Sequence, residues 1–140
     1  MKTRLSTRIA CFAPVLFLAA CGAAGLDAKS AHDQGKGNRK EYEATFDQAW
    51  AAAHAAIKWN EVGGAQDHAD DHYIITDPAR YDQIGIWVDP EGANKTLVNV
   101  VVIDDPNLNG PNEEGVQKDI AKAIELVKAG QPVDKRPKGP

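Results

Sequence analysis

Alternation of apolar and polar residues is the clearest pattern in the chain, and it predicts strands mainly in its second half. Apolar residues recur at every second position over 84–88 and 96–103, which is typical of strands that bury one face. Between them, residues 89–94 are dense in turn formers, which predicts a hairpin. The predicted strands are 39–44, 73–76, 84–88 and 96–103.

A helical period separates the first two of these strands and follows the last one. Phe46, Trp50, Ala53 and Ile57 fall on one helical face, and Thr45-Phe46-Asp47-Gln48 has the form of a capping box. A second helix is predicted over 112–129. Its apolar face consists of Val116, Ile120, Ala123, Ile124 and Val127.

The order of elements, β-α-β-β-β-α, predicts an α+β fold. Consecutive strands with short links favour an antiparallel sheet, here of about four strands, with both helices on one face. The predicted domain spans residues 39–130. Residues 21–38 lack periodicity and are predicted to be a flexible tether, and residues 131–140, with three prolines and four charges, a disordered tail.

The N-terminus has the three parts of an export signal. Lys2, Arg4 and Arg8 precede a mostly apolar stretch, which is too short to span a bilayer, and small residues follow before Cys21. The run Leu18-Ala19-Ala20-Cys21 resembles the lipobox of bacterial lipoproteins. The alternative is an ordinary signal peptide followed by an unrelated cysteine.

The lipobox resemblance implies a location and an anchor. Residues 1–20 would be removed, and Cys21 would carry a diacylglycerol on its sulfur and an acyl chain, such as palmitate, on its new amine. Several acyl chains together give stable anchoring to a lipid bilayer. In such lipoproteins an Asp after the cysteine favours retention at the inner membrane, so Gly22 implies the outer membrane, with the domain facing the periplasm.

The composition of the cleaved chain restricts its chemistry. Loss of three cations changes the formal net charge from −4 to −7, so nucleic acid is not an expected partner. Ser30 is the one serine after Cys21, and no free cysteine remains once Cys21 is acylated. A serine or cysteine nucleophile is therefore not expected, and we predict neither an enzyme nor a cofactor.

The region 39–130 is loosely similar to the helix-grip domains of lipoproteins that accompany the β-barrel assembly machine. The resemblance rests on a lipobox, a short tether and a strand leading into Thr45-Phe46-Asp47-Gln48-Ala49-Trp50. It implies a protein-binding role in the envelope and no catalytic residues.

Two acidic segments are candidate metal sites. Segment 67–72 contains His68 and His72 among carboxylates, a set that suits zinc, copper or nickel. Asp105, Asn107 and Asn109 match the first half of a calcium loop, but Val116 stands where a bidentate Glu is expected. The competing interpretation of both segments is a solvated loop.

The sheet face opposite the helices is the candidate partner surface. Strand alternation places Trp87, Leu97, Val101 and Ile103 there, with Asn99. Two helices on the other face would leave these apolar groups exposed as an interaction patch. Homodimerisation through this face, or its coverage by the tail, are the alternatives.

Two functional hypotheses follow from the sequence. The first is a membrane-anchored envelope lipoprotein that acts as a non-catalytic binding or assembly module, with another envelope protein as its partner. The second is a metal-binding or metal-sensing lipoprotein that uses one of the two acidic segments.

Overall fold

The computed structural model describes residues 27–77, 83–103 and 110–138. They form a mixed α+β structure with one antiparallel sheet of five strands in the order β1-β5-β4-β3-β2. The strands are β1 (Asn38–Tyr42), β2 (Gln66–His68), β3 (Tyr73–Ile75), β4 (Gln83–Gly92) and β5 (Lys95–Ile103). The helices are α1 (Ala28–Asp33), α2 (Phe46–Trp59) and α3 (Glu113–Lys128), and a 3₁₀ turn occupies Ala69–Asp71.

The α+β class and the antiparallel sheet confirm the sequence prediction, as do the two long helices on one face. The larger core lies between these helices and the sheet. It contains the predicted inward-facing residues of β4 and β5 together with the apolar faces of α2 and α3. Its sheet residues include Ile84, Ile86, Val88, Val98 and Val100, all fully buried, with Val102 partly buried beside them.

Local sequence explains why α2 begins where it does and lies close to the sheet. The Thr45 hydroxyl accepts from the Gln48 amide at 3.2 Å, and the Gln48 side chain accepts from the Thr45 amide at 3.0 Å, which completes the capping box. Five alanines on α2 are buried, so the helix approaches its neighbours without bulky side chains between the backbones. The helix ends at Trp59.

The tail after α3 corrects one prediction. Residues 131–138 are irregular, but the Trp59 indole donates to the Val133 carbonyl at 3.0 Å, and Val133 packs against the larger core. Arg136 forms an ion pair with Asp119 of α3. Proline and charge content argued for disorder here, yet an indole N–H at a buried position needs an acceptor and the tail supplies it.

The predicted tether is also corrected over part of its length. Residues 28–33 form α1, and the sheet already begins at Asn38. The Asp27 carboxylate caps α1 by accepting from the Ser30 amide at 2.6 Å, and Gly35 follows the helix with a φ of +77°. The helix is only six residues long, too short for periodicity to reveal, and its stability depends on packing.

The first two residues of the acidic segment 67–72, Asp67 and His68, belong to a fifth strand. β2 pairs antiparallel with β3, and the 3₁₀ turn connects them. No apolar alternation announces β2, because none of Gln66, Asp67 and His68 is apolar. Cross-strand pairing and ring stacking with β3 define it instead.

Candidate functional site: the sheet face beneath α1

The second face of the sheet carries its own small core. Ala28 and Ala31 of α1 pack on Tyr73, Trp87 and Val101. Ile75 and Ile103 are partly buried at its margin. We call Tyr73, Trp87, Val101, Ile75 and Ile103 the α1-covered face.

The predicted partner surface lies on this face, but its expected exposure is wrong at two positions. Trp87 is 6% exposed and Val101 is 1% exposed, because α1 covers them. Leu97 and Ile103 remain partly exposed. Alternation along β4 and β5 placed these residues on the correct face, but it gave no indication of a third helix.

A run of four aromatic rings crosses this face. The His32 imidazole stacks on the Trp87 indole with centroids 3.9 Å apart and planes 5° apart. Tyr73 stacks on Trp87 at 5.5 Å, and His68 stacks on Tyr73 at 4.2 Å. The rings belong to α1, β4, β3 and β2, so stacking ties the short helix and the short edge strand to the centre of the sheet.

Gly85 allows the Trp87 ring to lie flat along its own strand. A Cβ added at Gly85 would lie 2.5 Å from the indole Cζ3 and 3.1 Å from the Ala28 Cβ. A side chain at this position would therefore collide with the indole of β4 and crowd Ala28 of α1.

Hydrogen bonds between α1 and the sheet are few. The Ala28 amide donates to the Gln83 side-chain oxygen at 2.6 Å, and the same Gln83 amide group donates to the Thr76 carbonyl at 3.2 Å. The Asn99 side chain donates to the Lys36 carbonyl at 3.3 Å.

Among the residues that the structure describes, two polar atoms buried on this side of the sheet lack a hydrogen-bond partner. They are Asn99 Oδ1 and His32 Nδ1. The carboxylate of Asp33 lies 3.5 Å from that imidazole nitrogen, close enough for an ion-pair contact but without hydrogen-bond geometry. Buried polar atoms without partners weaken the packing in which they occur.

The two histidines of the predicted metal cluster make separate contacts. His68 stacks on Tyr73, at the α1-covered face, whereas His72 has a φ of +56° and lies 4.8 Å from the ring of Phe46 on α2. Asp67 bonds to neither and lies 2.8 Å from His54 of α2. Within residues 27–77, 83–103 and 110–138, no three His, Cys, Asp or Glu side chains are grouped to hold a metal ion.

His54 contacts acceptors at both ring nitrogens. Its Nδ1 lies 3.0 Å from the Trp50 carbonyl, and its Nε2 lies 2.8 Å from the Asp67 carboxylate. An imidazolium donates to both, whereas a neutral ring donates to one. This pair connects α2 to β2, and it lies beside an open, mainly apolar cleft of about 360 Å³ lined by Ile57, Val62 and Ile74, among others.

A larger cleft of about 800 Å³ lies at the hairpin end of the sheet, and two of its polar side chains, Lys95 and Tyr42, already have partners. Lys95 pairs with Glu41 and Glu91, and these carboxylates raise the pKa of Lys95. The Tyr42 hydroxyl lies 2.7 Å from the side-chain oxygen of Gln117, and burial raises the pKa of Tyr42 to about 12.

Three sets of predicted residues lie outside the described residues. They are the signal segment 1–20, the lipidation site Cys21 and the candidate calcium ligands Asp105, Asn107 and Asn109. In the part of the chain that is described, no helix is long and apolar enough to span a membrane.

Sequence reasoning missed the role of α1 and the aromatic run. The available signals were an Asp-x-x-Ser cap at Asp27 and alanines three positions apart at Ala28 and Ala31. Compared with known proteins, the chain matches no protein-family model and has no significant similarity to a curated protein.

Proposed function

We propose that this chain is a lipid-anchored lipoprotein of the bacterial envelope whose folded domain is a non-catalytic binding or assembly module. The observation that carries the proposal is the run Leu18-Ala19-Ala20-Cys21 after a short apolar stretch. On this proposal the domain lies at the periplasmic side of the outer membrane and binds another envelope protein.

The position of α1 supports a domain held close to the membrane. Five residues separate Cys21 from Asp27, where the described structure begins. Even fully extended, the six residue steps from Cys21 to Asp27 span at most about 22 Å, since each contributes about 3.3–3.6 Å. A lipid at Cys21 would therefore keep α1 and the face beneath it near the bilayer surface.

The partner surface that we propose is the sheet face that carries α1. Leu97 and Ile103 are its partly exposed apolar members, and Trp87 and Val101 lie beneath the helix. Apolar side chains at the margin of a covered face offer a partner an initial contact. The acidic mature chain, with a formal net charge of −7, argues against nucleic acid as that partner.

Intact-mass spectrometry of the mature protein tests the anchor. We expect a mass equal to residues 21–140 plus diacylglycerol and an acyl chain. Cys21→Ser should abolish both lipid addition and cleavage. Cys11→Ser is the matched control and should leave both unchanged, because that residue is removed with the signal. An unlipidated mature wild-type protein would exclude the proposal.

Site-specific photo-crosslinking in intact cells tests the binding role. A photoreactive amino acid at Leu97 should give a discrete adduct with another envelope protein. The same amino acid at Lys118, which is exposed on α3, serves as the control. Equal adducts from both positions would mean that this face is not the partner surface.

A further inference from the structure

Fewer buried side chains hold α1 against the sheet than hold α2 and α3. It buries two alanine side chains, at Ala28 and Ala31, whereas α2 buries seven residues and α3 buries five. A helix of six residues has no independent stability in water. Its structure therefore depends on a contact made largely by two methyl groups and one imidazole ring.

The polar contacts beneath α1 are incompletely satisfied. Asn99 donates to Lys36 at 3.3 Å, but its Oδ1 has no partner although the residue is only 2% exposed. His32 Nδ1 also lacks a hydrogen bond. These are the two unpartnered buried side-chain atoms found among the described residues, and both lie on the side of the sheet that α1 covers.

The connection between α1 and β1 has the properties of a hinge. Gly35 has a φ of +77° and Gly37 a φ of +111°, conformations that side-chain-bearing residues rarely adopt. A Cβ at Gly35 would contact nothing within 4 Å. Gly35 can therefore change direction without moving Gly37, which packs against β5, or the sheet, which starts at Asn38.

The surface of the sheet beneath α1 is apolar. Tyr73, Trp87 and Val101 form a flat aromatic and aliphatic platform, flanked by Ile75 and Ile103. Stacking of His68 on Tyr73 also supports this platform, so the shape of the platform does not depend on α1 alone.

We propose that α1 is a displaceable cover over the partner-binding face, and that opening at Gly35 exposes the α1-covered face to a partner helix. A partner helix that replaces α1 must fit the same surface. It would need small residues three positions apart, which allow close approach over Gly85, and a planar side chain that stacks on Trp87. The identity of the face as the binding surface rests on the proposed function, whereas the opening of α1 does not.

Thiol labelling of buried cysteines tests the opening. Val100 and Val101 are adjacent in β5 and are 0% and 1% exposed, but Val100 faces α2 and α3 whereas Val101 faces α1. In the mature lipidated protein, Val101→Cys should react with a maleimide at least about tenfold faster than Val100→Cys. The Val100→Cys rate should follow global unfolding measured by urea denaturation.

Equal rates for the two variants, both set by global unfolding, would overturn the proposal. If Val101→Cys fails to fold, Ala31→Cys in α1 and Ala53→Cys in α2 provide the same comparison, because both alanines are at most 1% exposed. Here too, faster labelling in α1 supports the cover, and equal labelling overturns it.

Labelling of the wild-type protein distinguishes failure of the cover proposal from failure of the lipid-anchor proposal. Its mature chain should not react, because its remaining cysteine carries lipid. Labelling of the wild type would contradict the anchor proposal, while the difference between Val101→Cys and Val100→Cys would still report on α1.

Discussion

At the scale of single residues, Trp87 is the centre of the second face. It is 6% exposed, stacks on His32 and Tyr73, and lies flat over Gly85. A side chain in this position stabilises the fold through buried area and through ring stacking.

Trp87→Ala should lower the free energy of unfolding by about 3–5 kcal/mol, the usual cost of removing a large buried aromatic group. Urea denaturation measures the change. Asp89→Ala, two positions along the same strand and exposed, is the control and should change stability by no more than about 0.5 kcal/mol. If Trp87→Ala had the same urea midpoint as the wild type, the indole would not be buried in the folded protein.

Tyr42 provides a prediction about pH. Burial raises its pKa to about 12 from the usual value of 10.0, so the folded state retains a phenolic proton that the unfolded state releases first. Its stabilising contribution is complete below pH 10 and is lost as the pH rises through 12, because the unfolded chain then binds fewer protons than the folded one.

Between pH 10 and pH 12, wild-type stability should fall more steeply than that of Tyr42→Phe. Denaturation of both proteins at a series of pH values measures the difference, and other titrating groups cancel in the comparison. Parallel curves would mean that the Tyr42 hydroxyl is not desolvated in the folded state.

At the scale of elements, the helix starts follow from short side-chain signals. Thr45 caps α2, and Asn112 caps α3 by accepting from the Gly115 amide at 2.8 Å. Thr45→Ala and Asn112→Ala should each lower stability by about 1 kcal/mol, as measured by thermal or urea unfolding. Thr45→Ser is the control and should retain most of the stability, because its hydroxyl can still accept from Gln48.

The connection between α1 and β1 contains two glycines that both have a positive φ but lie in different surroundings. A Cβ at Gly37 would lie 2.5 Å from Asn99 Oδ1 and 2.8 Å from the Val100 carbonyl, whereas one at Gly35 meets nothing within 4 Å.

Gly37→Ala should therefore destabilise the protein clearly more than Gly35→Ala. Gly35→Ala should cost about 1 kcal/mol, from its positive φ alone. Urea denaturation of both variants measures the difference. Equal losses would show that residue 37 has room for a methyl group and that the chain there lies farther from β5.

At the scale of the whole molecule, the described residues form two cores of unequal size on one sheet. The larger core fixes α2 and α3 through many buried side chains, and the smaller one holds α1 through few. Such an arrangement lets one layer open while the other stays folded, since local openings occur where few apolar contacts are made.

The separation of His68 from His72 gives a prediction for the whole protein. Calorimetric titration with zinc should give no one-to-one isotherm, because the two imidazoles contact different elements and Asp67 bonds to His54. His68→Ala/His72→Ala is the control and should give the same baseline heats. A clear isotherm that disappears in the double variant would restore the metal-binding hypothesis.

The sequence alone determined the elements whose signals are local. Capping residues marked the start of α2, a 3.6-residue period marked both long helices, and a two-residue period assigned the inward faces of β4 and β5 correctly. These features are readable because each depends on neighbours within about four positions along the chain. The lipobox prediction depends on local sequence in the same way and remains a proposal.

Tertiary structure alone decided what covers the second face and where the tail lies. α1 and β2 have few apolar residues. α1 forms because Trp87, distant along the chain, provides a surface for His32 and Ala31 to pack on, whereas β2 forms because it pairs with β3 and His68 stacks on Tyr73. Residues 131–138 pack because the Trp59 indole needs an acceptor. The contacts of α1 and of the tail join positions far apart in sequence, where neither period nor composition carries information about the partner.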